Sequence, residues 1–224
     1  TSSGWLSRAR MATPFHADWP CQIAPYPAFS SAAAQSIVRG LAAELIQGAH
    51  DTAQLQQVWM GLEPVERAMP ELAIEAAQRL AELGGDDAQV RAWLLPAWER
   101  MVELPQALPA AQALKLVYAL EAGLASLDAT WLARIEAAQR GNPRDPRLSY
   151  LAGMACLKRQ LWGKAQQLLT RAAPLLQDCQ LRTRAWQRLA LMAEHRGDME
   201  ASAIAWKLAA QAMVVLPDNP AQDE

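Results

Sequence analysis

Three histidines, three cysteines and a few clustered charges are the residues of this chain with chemistry to offer. His16, His50 and His195 lie far apart, and none forms an HxxxH or HExxH pair that would set two metal ligands on one helical face. Cys21, Cys156 and Cys179 form no CxxC pair and no haem-attachment motif, which predicts free, buried thiols in a reducing compartment. No phosphate-binding glycine loop, dinucleotide-binding GxGxxG or nucleophile elbow occurs. Glu63, Glu66 and Glu71 are separated by Pro64 and Pro70, and read as a solvated acidic turn. Lys158, Arg159 and Lys164 surround Trp162 as a small basic patch, with Trp162 as an aromatic plug and Gly163 allowing close approach. This inventory predicts a non-catalytic protein with no metal site.

The elements that must position these residues are helices. After the first thirty residues the chain is rich in alanine, leucine, glutamine, arginine and glutamate, which lose little rotamer freedom in a helix. With 21 Lys+Arg against 23 Asp+Glu, the formal charge of −2 argues against a nucleic-acid binder, which needs a basic surface to displace counterions. No apolar run is long enough to span a bilayer. Nine tryptophans in 224 residues predict aromatic fillers between packed helices.

Three regions are expected. Residues 1–30 hold Pro14, Pro20, Pro25 and Pro27 among scattered aromatics and read as an irregular lead-in or strap. Residues 31–216 form the helical domain, and 217–224 an acidic tail. Within the domain, Ile37, Leu41 and Leu45 fall at helical spacing, and Asp51 caps the next helix, which carries Leu55, Val58, Trp59 and Leu62. A helix through Leu72, Ala76, Leu80 and Leu83 stops at Gly84-Gly85. Asp86 or Asp87 opens another through Val90, Leu94, Ala97 and Met101, with Pro96 kinking it or shifting its start. Further helices are expected near 110–124, 128–140, 146–159, 162–176, 180–196 and 199–214.

The last helices repeat. Gly153 aligns with Ala190, an offset of 37 residues, and the same offset pairs Cys156 with Ala193, Ala165 with Ser202 and Leu169 with Trp206. Small residues at 153/190 and 165/202 let two antiparallel helices approach, while Leu169 and Trp206 fill space towards the next pair. A weaker unit, with Ala77, Leu80, Gly84, Leu94 and Ala97, precedes them; its doubled glycine reads as a one-residue insertion. This pattern resembles the tetratricopeptide repeat, whose usual period is about 34 residues. The expected fold is all-α, with antiparallel helix pairs stacked as a tetratricopeptide-like right-handed solenoid.

A narrower resemblance rests on Leu161-Trp162-Gly163-Lys164-Ala165 following Pro143-Arg144-Asp145-Pro146-Arg147-Leu148. These residues are similar to the last repeats of the protohaem IX biogenesis (HemY-type) proteins. Leu55–Leu62 with Pro70-Glu71-Leu72-Ala73 is similar to an upstream junction of that family, so the likeness spans roughly residues 35–215. The resemblance implies a bacterial inner-membrane protein with its repeats on the cytoplasmic face, acting as a non-enzymatic scaffold in late haem synthesis with a haem-pathway enzyme as partner. The family's two membrane-spanning helices are not matched, so a soluble fragment or a shortened relative is expected.

In tetratricopeptide arrays the first helix of each pair lines the concave face. By spacing, Tyr150, Met154, Leu157 and Lys158 line it in one unit, and Gln187, Leu191, Glu194 and His195 in the next. The subset of arrays that clamps a terminal carboxylate uses Lys and Asn where this chain has Tyr150 and Met154, so a groove for an amphipathic or extended peptide is expected instead. The alternative expectation is a haem site with His195 as ligand and Tyr150 or Met154 as pocket wall.

Overall fold

The computed structural model describes residues 31–104 and 108–213, with side chains from residue 36 onward. The expectations for residues 1–30 and 217–224 lie outside this range. The described residues are helical throughout: α1 (Ser31–Gln47), α2 (Thr52–Gly61), α3 (Pro64–Arg67), α4 (Pro70–Glu82), α5 (Asp87–Glu103), α6 (Ala110–Ala122), α7 (Ala129–Gly141), α8 (Pro146–Lys158), α9 (Trp162–Ala172), α10 (Cys179–His195) and α11 (Met199–Met213).

The boundaries have local causes. Asp51, Asp86, Asp128, Asp145 and Asp178 each cap a helix, the carboxylate accepting from a backbone N–H in the first turn. Pro64, Pro70 and Pro146 open α3, α4 and α8, where a missing N–H costs nothing. Pro96 neither breaks α5 nor moves its start, which stays at the Asp86 cap. Pro96 and Ala92 are both exposed, so water can take up the carbonyl that proline leaves unbonded. The segment expected as one helix over 162–176 is instead α9 followed by a 3-10 turn, Ala173–Leu175, because Pro174 cannot continue the α-helical ladder.

The helices pack in pairs. α4 lies on α5, α8 on α9 and α10 on α11; α6 bridges α4, α5 and α8, and α7 lies against α8. All three pairs turn alike. Gly84 (φ 71°), Gln160 (φ 60°) and Gly197 (φ 78°) take the left-handed conformation. The next residue's N–H then donates back into the helix, Gly85 to Leu80 (2.8 Å), Leu161 to Cys156 (2.9 Å) and Asp198 to Ala193 (3.0 Å). The second glycine of Gly84-Gly85 has its own cause: a Cβ at Gly85 would strike the Leu80 side chain and stand 2.9 Å from its carbonyl oxygen.

Within the α8–α9 pair the expected packing points hold. Ala165 is buried, and a Cβ on Gly153 would lie 2.7 Å from Leu169 Cγ. Leu169 therefore seats on Gly153 within its own pair. Ala190 carries the Cβ that Gly153 lacks, and its counterpart Trp206 stays at the surface, donating Nε1–H to Glu194 at 2.7 Å.

Ile37, Leu41 and Leu45 share one helix as their spacing predicts, but on its exposed side; Leu41 is 57% exposed and Leu45 58%. α1 buries Ala42 and Ile46 against its neighbours. One further expectation is corrected. Trp162 is not a buried plug, being 48% exposed, and no heavy atom lies within 4 Å of a Cβ built on Gly163. Other tryptophans do fill gaps: Trp59 stacks on Trp93 at 4.7 Å, and Trp98 meets Trp131 at 6.2 Å.

Candidate functional site: the cleft between α8 and α10

The left-handed turn at Gln160 throws the chain back so that Trp162 opens α9 beside the last turn of α10. There its indole stacks on the His195 imidazole, with centroids 5.6 Å apart and planes inclined by 12°. The stack forms one wall of a cleft of about 330 Å³. α8 contributes Met154, Leu157 and Lys158, and α10 contributes Arg188, Leu191, Met192 and His195. The spacings, i, i+3, i+4 on α8 and i, i+3, i+4, i+7 on α10, are those of single helical faces. Met154 and Met192 lie buried at the floor, and Leu191 is 43% exposed.

Five of the residues expected in the groove meet there: Met154, Leu157, Lys158, Leu191 and His195. Three do not. Tyr150 is fully buried beneath the helix layer. Gln187 faces a separate hollow with Thr183, Arg184 and Met213. Glu194 turns to α11, accepting from Ser202 Oγ (3.0 Å) and Trp206 Nε1 (2.7 Å). Arg188 and Met192 were not expected; the signal for them was the same i, i+3, i+4 spacing counted back from His195. The basic patch also dissolves. Lys164 pairs with Glu136 at 2.7 Å and Arg159 donates to the Leu127 carbonyl, leaving Lys158 alone at the cleft.

Two roomier hollows are built around an internal ion pair. At about 500 and 790 Å³, they share Asp145 and Arg147, which bond each other at 2.9 Å while Asp145 caps α8. No group of three or more His, Cys, Asp or Glu that could hold a metal occurs among the described residues. Cys156 and Cys179 are free thiols; burial pushes the Cys156 thiol up, and Glu136 adds to this against the opposing effect of Lys164. The three glutamates also separate: Glu63 and Glu66 close a capping box on α3, whereas Glu71 meets Gln112 and Arg39.

Tyrosines tie the cleft helices to α6. Tyr118 donates to Asp178 at 2.5 Å, Arg184 bonds Glu121 at 3.0 Å, and the Arg184 guanidinium lies over the Tyr118 ring at 5.1 Å. Tyr150 Oη is buried without a hydrogen-bond partner among the described residues. Burial, and then the nearby Glu121 charge, push its phenol well above the ordinary value of 10.0; burial and the Asp178 bond do the same for Tyr118. A folded-state pKa raised in this way gives stability that is full below pH 10 and is lost as the pH climbs from there towards the raised values. Tyr150→Phe removes an unbonded hydroxyl, so its melting temperature at neutral pH should match or exceed that of the parent. Thermal melts across the alkaline range should show a smaller loss for the variant; an equal loss contradicts the assignment.

Fold and cleft together define a class: an all-helical protein of paired helices with an apolar cleft edged by cations. No family model, curated protein or solved structure matches the chain.

Proposed function

We propose that this protein is a non-catalytic scaffold of the tetratricopeptide-like solenoid type, holding a protein partner in the α8–α10 cleft, and that its setting is haem synthesis at the bacterial inner membrane. The observation that carries the binding role is the cleft itself, in which Trp162 and Leu191 stand half-exposed over a methionine floor. Methionine repacks readily around different side chains, which suits a surface that accepts a peptide. The haem setting is supported only by the resemblance of Leu161–Ala165 to the protohaem IX biogenesis proteins, and that turn supplies the Trp162 wall. Membrane attachment belongs to the resemblance as well; among the described residues no helix is long and apolar enough to cross a bilayer.

The test is capture from cells expressing the full chain. The reading expects a porphyrin-pathway enzyme to be retained, and Leu191→Asp to release it by placing a charge in the apolar cleft. Absence of any such enzyme, or retention unchanged in the variant, contradicts it.

A haem or porphyrin carrier is the second reading, favoured by one donor set: His195, Met154 and Met192 share the cleft with Lys158 and Arg188, cations suited to propionates. Titration with haemin should then give a Soret shift that His195→Ala abolishes; no shift, or one indifferent to the variant, removes it.

A further inference from the structure

We propose that the occupant of the α8–α10 cleft is an acidic amphipathic segment of a partner protein, one face apolar and its flanks rich in Asp and Glu. This rests on the scaffold reading and adds the chemistry of the partner. Apart from the His195 imidazole stacked on Trp162, the floor and walls, Met154, Leu157, Trp162, Leu191 and Met192, are apolar, so selectivity for charge must come from the rim. The rim is cationic: Lys158 and Arg188 stand there with no carboxylate within ion-pair distance among the described residues. Neighbouring cations are engaged, Arg184 by Glu121, Lys164 by Glu136 and Arg196 by Gln166 (2.6 Å). Glu194, the acid nearest His195 in sequence, is held towards α11.

The two cations differ in meaning. Lys158 ends α8 and also offsets the negative end of its dipole. Arg188 sits in the interior of α10, beyond the reach of either helix end, and has no such duty. A partner carboxylate beside Arg188 would supply the missing counter-charge while an adjacent apolar side chain enters the cleft. This differs from a terminal-carboxylate clamp, since the acids are side chains flanking an apolar stripe.

Two synthetic amphipathic peptides with blocked ends and the same leucine stripe provide the test, one with glutamate and one with lysine at its remaining positions. Fluorescence anisotropy against the full chain should show the glutamate peptide binding about tenfold more tightly. The double variant Lys158→Glu, Arg188→Glu should invert that preference, with its circular dichroism unchanged. Equal binding of both peptides, or a preference that does not invert, overturns the acidic partner while leaving the cleft as a binding site. Failure of both peptides overturns the inference and the cleft reading together. Self-association of the full chain that Arg188→Glu abolishes would assign the cleft to a second copy, and overturns it too.

Discussion

Gly153→Val should cost about 3 kcal/mol of unfolding free energy, the upper range for forcing extra volume into a packed core. A Cβ at this position would stand 2.7 Å from Leu169 Cγ, 2.9 Å from Cδ2 and 3.4 Å from the Leu169 backbone nitrogen. Leu169 is fully buried, so any shift must displace other core side chains. Gly153→Ala should lose less, because alanine regains about 1 kcal/mol of helix propensity over glycine. The urea midpoint measures both. Leu169→Ala alone should cost about 2–5 kcal/mol as a cavity, yet much less in the Gly153→Val background, where the new methyls occupy the space vacated. A double-mutant cycle should therefore show coupling of at least about 1 kcal/mol; additivity within about 0.5 kcal/mol would mean that the two helices do not meet here.

Arg91→Met should destabilise by a similar amount, about 3 kcal/mol, for a different reason. Arg91 is only 1% exposed, within α5. Its guanidinium donates to the Gly123 carbonyl and, at 2.9 Å, to that of Ser126, and stands 3.6 Å from Asp128, which caps α7. Arg91, together with Asp87, which accepts from Ser126 N–H at 2.9 Å, thus ties the α6–α7 connection to α5. Methionine fills the volume but leaves both carbonyls without their donor. Arg91 Nε has no partner among the described residues, which lowers the net gain from burying the guanidinium. Hydrogen exchange should accelerate first over residues 123–128, while peptide affinity at the distant cleft stays unchanged. Unaltered exchange in that segment would contradict the pinning role.

Much of this architecture was legible in the sequence because its signals are local. Aspartate caps marked helix starts such as those at Asp51 and Asp86, whereas the short α3 at Pro64 was not foreseen, and the 37-residue offset returns as the spacing of two left-handed turns, Gln160 and Gly197. Orientation was harder to read. α1 is apolar on more than one face, so periodicity could not choose between Leu41 and Ala42. On α8 every residue from Leu148 to Cys156 is buried, so burial leaves no polar side to mark which way the helix faces, and Tyr150 could not be separated from Met154 by spacing. Trp162 was misread because an aromatic at a helix start can plug or protrude, and that choice is made by α10, which is distant in sequence. Arg91 carried no signal at all, since an arginine at one helical position reads as solvated until its carbonyl partners are placed around it.

We propose that the α8–α10 cleft, and no other face of the paired helices, holds a protein partner. A photo-crosslinking residue placed at Leu191 in the cleft, and separately at Ile204 on the exposed face of α11, tests it in cells expressing the full chain. Position 191 should give a discrete crosslink to a haem-pathway enzyme, lost on adding Arg188→Glu, and position 204 none. Equal crosslinking from both positions, or none from position 191, would contradict it.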